Sequence, residues 1–178
     1  MAVLETILSF FTPVPVAGPE AAVVPAPPTR YAIRPLTLEN LDEVLRVNFR
    51  CFRGGENYTK HTFSYLLNEP ETLSYRAVTP AGEMAGFVFV MINQEGAAHV
   101  TTIGVSPEHR RRGIARRLLE HVERALKRKG LSTVVLEVRV GNDGAQDLYR
   151  RSGYAVVQRI SSYYNNGEDG FLMMKSLL

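Results

Sequence analysis

The stretch "EHRRRGIARRLLEHVERALKRKG", Glu108–Gly130, decides the fold. Five arginines stand within positions 110–117, and one glycine, Gly113, interrupts them. From Ile114 onward, Leu118, Val122, Ala125 and Leu126 recur at helical spacing and form an apolar stripe. Such a stripe lays an amphipathic helix on a sheet. Arg116, Arg117, Arg124, Lys127 and Arg128 mostly fall off the stripe and read as a solvated face. The alternating segment "VTTIGV" precedes the helix as a strand and passes through Ser106-Pro107. A helix start exposes unpaired N–H groups and partial positive charge. A glycine there lets an anion approach the backbone, whereas inside a helix it costs about 1 kcal/mol relative to alanine. With the small Ala115 beside it, the segment reads as a phosphate cradle. The chain contains neither G-x-x-x-x-G-K-S/T nor G-x-G-x-x-G, so the cradle belongs to neither of those nucleotide-binding loops.

Around this unit the elements fall into order. "YAIRPL" alternates as a strand, and Thr37 suits a helix N-cap. Leu41, Val44, Leu45, Asn48, Phe49 and Phe52 follow at helical spacing, and Gly54-Gly55 stop that helix. "ENYTKHTFSYLL" gives a loop and a short helix ended by Pro70. "LSYRAV", "MAGFVFVMI" and "AAHVTTIGV" read as three strands. After the basic helix come strand "STVVLEVRV", a helix from about Gly144 to Ser152, and strands "YAVVQRI" and "GFLMMKSL". The pattern β-α-α-β-β-β-α-β-α-β-β is an α/β layer structure with a mixed sheet.

Length and composition bound the rest. The 178 residues suffice for one domain with a sizeable core. Six of the ten prolines lie in the first 30 residues, so 1–29 reads as an extended, poorly packed tail and 30–178 as the folded domain. Within the tail, Leu4, Ile7, Leu8 and Phe11 could share a face of a short helix over Val3–Phe11. The formal charge is +3; residues 1–30 contribute −1 and residues 31–178 therefore +4. The N-terminus holds Glu5 and no early Lys or Arg, unlike a secretory or mitochondrial leader, and no apolar run spans a membrane, so a cytoplasmic protein is expected. The single Cys51 suits a reducing compartment. His61, His99, His109 and His121 are too scattered for a zinc pattern, and no metal is expected.

"RRRGIA", Arg110–Ala115, resembles the Q/R-x-x-G-x-G/A signature of the GNAT N-acetyltransferases, and "NDGAQDLYRRSGY", Asn142–Tyr154, is similar to that family's N-x-x-A-x-x-L-Y-x-x-x-G-F/Y. The resemblance covers about residues 31–178. It implies the GNAT fold: a mixed, mostly antiparallel sheet of about seven strands flanked by about four helices. It also implies acetyl-coenzyme A as co-substrate. The pyrophosphate would lie on Arg110, Arg111, Arg112, Gly113, Ile114, Ala115 and Arg116, the pantetheine arm along Ile103, Gly104 and Val105, and Asn142 would touch the coenzyme.

Strand "VVLEVRV" places Glu137 in a hydrophobic setting beside Arg139, with which a surface ion pair is the plainer reading. "LEVR", with Asn142 five residues after Glu137 and Tyr149 seven further on, resembles ribosomal-protein-alanine N-acetyltransferases. That resemblance makes Glu137 the general base, directly or through water, and Tyr149 the acid that protonates the leaving thiolate. Near pH 7 a neutral α-amino group costs about 1 kcal/mol and a neutral lysine about 4.6 kcal/mol, so one carboxylate suits a chain terminus better. Cys51, without a neighbouring histidine in sequence, is read as structural rather than as an acetyl carrier.

The loop "GGENYTKH" and the final hairpin "SSYYNNGEDGFLMM" are similar to the peptide entrance of archaeal and eukaryotic N-terminal acetyltransferase catalytic subunits. By that likeness Tyr163 and Tyr164 hold the first peptide units, and Glu56 and Tyr58 shape the first-residue pocket. Gly54-Gly55 stand where the family often has Leu-Pro, which alters that pocket. Glu168-Asp169 read as turn residues. The expected acceptor is a protein or peptide N-terminus, a ribosomal protein being one candidate. The alternatives are a lysine side chain or a small-molecule amine. A ribosome- or nucleic-acid-binding module is disfavoured because no aromatics interleave the arginines of 110–130.

Overall fold

Strand and helix periodicities sort themselves around one seven-stranded sheet in a computed structural model. It describes residues 12–13, 23–52, 56–93 and 96–178, with backbone alone for 12, 13 and 56. The possible helix over Val3–Phe11 and the glycines 54 and 55 lie outside the described residues. The strands are β1 (Ala32–Pro35), β2 (Thr72–Val78), β3 (Met84–Ile92), β4 (Ala98–Val105), β5 (Thr133–Arg139), β6 (Ala155–Ile160) and β7 (Gly170–Ser176). Their spatial order is β1-β2-β3-β4-β5-β7-β6. Every neighbouring pair is antiparallel except β4 and β5. A two-residue ladder pairs Thr12–Pro13 with Glu56–Asn57 outside this sheet.

Among the described residues four α-helices cover it: α1 (Leu41–Cys51), α2 (Lys60–Asn68), α3 (Ile114–Arg128) and α4 (Asp143–Arg151). Thr37 caps a short 3-10 turn, Leu38–Asn40, that leads into α1. Central β3 alternates between the two cores. Phe87 and Phe89 pack with Val44, Val47, Phe63 and Leu66 of α1 and α2. Val88 and Val90 pack with Ile114, Leu118, Val122 and Leu126 of α3. The stripe read from the sequence is therefore the buried face of α3, with Leu119 and Glu123 added. Glu123 is tolerated there because Lys175 Nζ lies 2.6 Å from one of its oxygens and the Tyr154 hydroxyl donates to the other at 3.1 Å.

Two local features set up the site. The β4–β5 ladder holds only at Ala98–Val134 and His99–Val135, after which the strands part. On its other edge β4 slips register: Phe89 faces Thr102 and Val90 faces Val100, which makes Thr101 a bulge residue. A bulge bends its strand and re-aims side chains, here where β4 leaves β5.

Candidate active site

The gap between β4 and β5 opens into a cavity of about 240 Å³. His99, Ile103, Glu137, Asn142, Tyr149, Tyr58, Tyr163 and Tyr164 line it, so residues from five separate sequence segments meet at one place. Register decides what β4 offers. Ser106 N–H bonds to Ala85 O, and pairing alternates from there, so Gly104 turns its backbone groups toward β3. Ile103 and Val105 turn theirs toward the gap. Gly104 is closely packed: a Cβ on it would stand 2.9 Å from the Phe87 ring.

The sequence reading places Gly113 at a helix start, and it is the N-cap of α3, with φ of 74° in the left-handed region that glycine tolerates. A Cβ there would meet nothing within 4 Å among the described residues, so as far as they go the space above the first turn is open. Arg111 is also left-handed, at φ 61°. The side chains of three of the arginines at 110–116 are engaged within the chain. Arg110 donates to the carbonyls of Val105 (3.2 Å) and Cys51 (3.3 Å). Arg112 donates to the carbonyls of Pro27 (2.8 Å) and Ala26 and to the Tyr31 hydroxyl (3.0 Å). Arg116 pairs with Glu120 one turn on. Arg110 and Arg112 hold the loop in shape, and the first turn of α3 presents the helix-start amides of Ile114, Ala115 and Arg116.

Residues 26 and 27 lie in the stretch read as a loose tail, yet they are tied to this loop. Besides the Arg112 bonds, Ala26 N–H donates to Glu108 O at 3.0 Å. Deleting residues 1–28 is therefore expected to raise the KM for acetyl-coenzyme A several-fold with little change in kcat, as read from initial rates over a coenzyme titration.

Glu137 sits on the partly covered face of β5, opposite buried Leu136 and Val138. Its Oε2 lies 2.5 Å from His99 Nε2, and both side chains are only 7% exposed. Arg139, the sequence neighbour considered as its partner, pairs instead with Glu168. His99 was not singled out by sequence reasoning. Its place inside "AAHVTTIGV" marks it only as a strand residue, and the contact depends on β4–β5 register. Its Nδ1 is buried without a hydrogen-bond partner among the described residues.

Tyr149, on α4, is buried beside this pair, and its phenol is pushed well above the usual range by burial and then by the Glu137 charge. It keeps its proton throughout the working range. Asn142 is the N-cap of α4, its Oδ1 accepting from Ala145 N–H at 3.1 Å. The cap pins Asn142 at the cavity wall.

Opposite these groups stand the tyrosines. Tyr58 donates to Thr101 O (3.1 Å), the carbonyl of the bulge residue. The loop that carries Tyr58 is fixed by a buried amide pair, with Asn48 donating to Asn57 Oδ1 at 3.1 Å and Asn57 donating to Phe52 O at 2.8 Å. Asn48, read from the sequence as one more position on the α1 face, thus shapes the site. Tyr163 and Tyr164 meet edge to face with centroids 5.0 Å apart, and Arg139 lies 3.9 Å over the Tyr164 ring. Gly170 makes room, since a Cβ there would stand 3.1 Å from the Tyr163 ring. The Glu56 side chain lies outside the described residues.

Glu168 and Asp169 serve the turn. Glu168 accepts from Gly141 N–H at 2.9 Å, and Asp169 accepts from Ser162 N–H at 2.8 Å. These backbone bonds first, then Arg139 and Arg159 respectively, hold both carboxyls below their ordinary range.

Cys51 packs under Gly104, and burial pushes its thiol up to about 11 despite nearby Arg110. A protonated thiol is a poor nucleophile. Cys51→Ala is expected to leave kcat unchanged; loss of turnover in a folded variant would revive an acetyl-cysteine route.

A half-split sheet, with a helix start at the end of the split and a carboxylate and a tyrosine inside it, is the framework of an acyl-group transferase working from a coenzyme. The chain belongs to the acetyltransferase (GNAT) family, whose pattern matches residues 38–154. It is an acetyl-coenzyme A-dependent N-acetyltransferase. It is 31% identical over 159 residues to an N-alpha-acetyltransferase of Sulfurisphaera tokodaii, covering 83% of this chain and 93% of that one. The crystal structure of the ribosomal-protein-S18-alanine N-acetyltransferase from Escherichia coli superposes with a TM-score of 0.76 at 26% identity, covering 83% of this chain and 94% of the other. That of the NatC complex bound to Gag peptide and CoA gives 0.73 at 25% identity, covering 83% and 99%. Among the described residues no helix is long and apolar enough to cross a membrane.

Proposed function

We propose that this enzyme acetylates the α-amino group of protein N-termini by direct transfer from acetyl-coenzyme A. The observation that carries the reading is that Tyr58, Tyr163 and Tyr164 wall the same cavity as Glu137 and Tyr149. That arrangement suits an extended peptide entering between the "ENY" loop and the final hairpin, its first residue against Tyr58. The E. coli and NatC likenesses support the same acceptor class, with ribosomal-protein termini as one candidate.

In this mechanism the coenzyme's pyrophosphate rests on the amides of the α3 start, with Gly113 leaving the space open. The pantetheine arm runs along the gap-facing backbone of Ile103 and Val105, and Asn142 flanks it. Glu137 takes a proton from the incoming ammonium, directly or through a water. His99 donates its Nε2–H to Glu137 and holds the carboxylate facing the acceptor; His99 is a positioning residue. The neutral amine attacks the thioester carbon, the N–C bond forms, and the C–S bond breaks. The departing thiolate takes its proton from Tyr149, and the phenolate is restored by the second proton of the acetylated nitrogen, which leaves as a neutral amide.

An α-amino acceptor asks little of this base, since freeing it near pH 7 costs about 1 kcal/mol against about 4.6 kcal/mol for lysine. The test is acetyl transfer to a panel of peptides with free N-termini, alanine-first sequences included, against N-terminally blocked lysine peptides and small amines. Transfer to free N-termini alone is expected. Preference for the blocked lysine peptides or the small amines would overturn the reading.

A further inference from the structure

The turn Pro107–His109 carries groups that acetyl transfer does not use. His109 is 2% exposed. Its Nδ1 shares a 3.0 Å hydrogen bond with the Tyr31 hydroxyl, but its Nε2 is buried with no hydrogen-bond partner among the described residues. Leaving such a group unmet costs about 1–3 kcal/mol. Nε2 points toward carboxylates: Glu83 Oε1 lies 4.0 Å away. Glu83, Glu108 and His109 each present a ligand atom, all within 4.8 Å of one another. Two carboxylates this close repel unless something positive stands between them. Arg50 answers part of that, 2.6 Å from Glu108 Oε2, and Glu108 also accepts from its own backbone N–H and the Ser106 hydroxyl, while the Glu83 carboxylate faces only His109 Nε2, at 4.0 Å, among the described residues.

We infer that Glu83, Glu108 and His109 form a binding site for a divalent transition-metal ion, zinc being the best match, apart from the acetyl-transfer cavity. One imidazole nitrogen with two carboxylate oxygens is a donor set that zinc accepts, with a fourth position for water. Ligands at about 2.0–2.2 Å from zinc stand closer together than these atoms do. Glu83 closes the difference, because its side chain is 60% exposed and free to swing, whereas His109 is fixed by burial. The outer contacts are already built. A metal-bound histidine donates its other ring N–H to an acceptor, and Tyr31 Oη provides that acceptor on Nδ1. Arg112 donates to the same oxygen, which links the site to the coenzyme loop. The ion would cross-link the start of β3 to the turn that leads into α3, bracing the cradle from behind. The scattered histidine spacing concealed this, because Glu83 joins from a hairpin 26 residues away from His109.

The test uses the full chain without an affinity tag and without coenzyme, whose thiol would itself take zinc. Zinc chloride is titrated by calorimetry, with a thermal melt in parallel. One ion per chain and a raised Tm are expected. Glu83→Gln, at an exposed position, is expected to weaken zinc binding at least about tenfold while leaving the metal-free Tm unchanged. Cys51→Ala is expected to bind as wild type does. Failure of the wild-type chain to bind one equivalent would overturn the site, as would binding unaffected by Glu83→Gln or abolished by Cys51→Ala.

Discussion

Gly113→Glu is expected to fold and to lose acetyl-coenzyme A affinity by at least about a hundredfold. Its backbone sits at φ 74°, where a residue with a Cβ costs roughly 1–2 kcal/mol. That penalty is modest for a whole domain, and beyond its chain neighbours none of the described residues lies within 4 Å of the added Cβ, so the fold survives. The damage is to the site. A glutamate here swings its carboxylate over the amides of the first α3 turn and occupies the place proposed for the pyrophosphate. Like charges in contact cost several kcal/mol, and about 2.7 kcal/mol already makes a hundredfold. Gly113→Ala separates the two contributions, since it carries the backbone strain without the charge and should weaken binding far less. Calorimetry of both variants reads the difference; wild-type affinity in Gly113→Glu would show that the cradle is elsewhere.

Tyr149→Phe is expected to lower kcat by about 10²–10⁴-fold, the usual worth of a positioned acid, with coenzyme affinity nearly unchanged. The phenylalanine keeps the ring and its edge contact with Tyr154, whose centroid is 5.9 Å away, so the loss is confined to the hydroxyl proton. Burial, then the Glu137 charge, raises the Tyr149 pKa. The alkaline limb of the pH–rate profile therefore does not come from this residue. The same shift bears on stability with a definite sign. Above about pH 10 an unfolded tyrosine gives up its proton while the folded one keeps it. The unfolded state then binds fewer protons, and stability falls as pH rises. Rates for the variant are best compared below that range. Full activity in Tyr149→Phe would remove its role as acid.

What could be read from the sequence was what depends on neighbours along the chain. The α3 stripe, the alternation of β5 around Glu137 and the turn at Glu168-Asp169 are local patterns, and all three stand in the structure. Gly113 was legible as an exception but not as an N-cap, because one residue's placement at a helix end depends on φ angles that composition does not state. The Glu137 partner was out of reach for a stronger reason. His99 lies 38 residues away, and their contact requires that β4 and β5 pair in parallel at His99–Val135. A slip of one residue would turn one of them to the other face. The arginine run has a further use that the sequence did not show. Positive charge beside a phosphate cradle suggests phosphate contacts, yet Arg110 and Arg112 spend their donors on carbonyls of Val105, Cys51, Ala26 and Pro27. Chain carbonyls leave no trace in side-chain patterns, so this use of arginine could not be foreseen.

The two-pair ladder between β4 and β5 has a mechanical meaning. Along that line the sheet is two plates, β1-β2-β3-β4 and β5-β7-β6, joined edge to edge by backbone at only His99–Val135 and Ala98–Val134. The His99–Glu137 contact sits at the last stitch of this seam. On the proposed binding mode, the coenzyme arm lies where an eighth strand's backbone would run and fastens the plates beyond that stitch. On that mode each catalytic cycle unfastens and refastens the protein's own architecture, and His99, proposed to position the base, is also the rivet that keeps the two plates together in between.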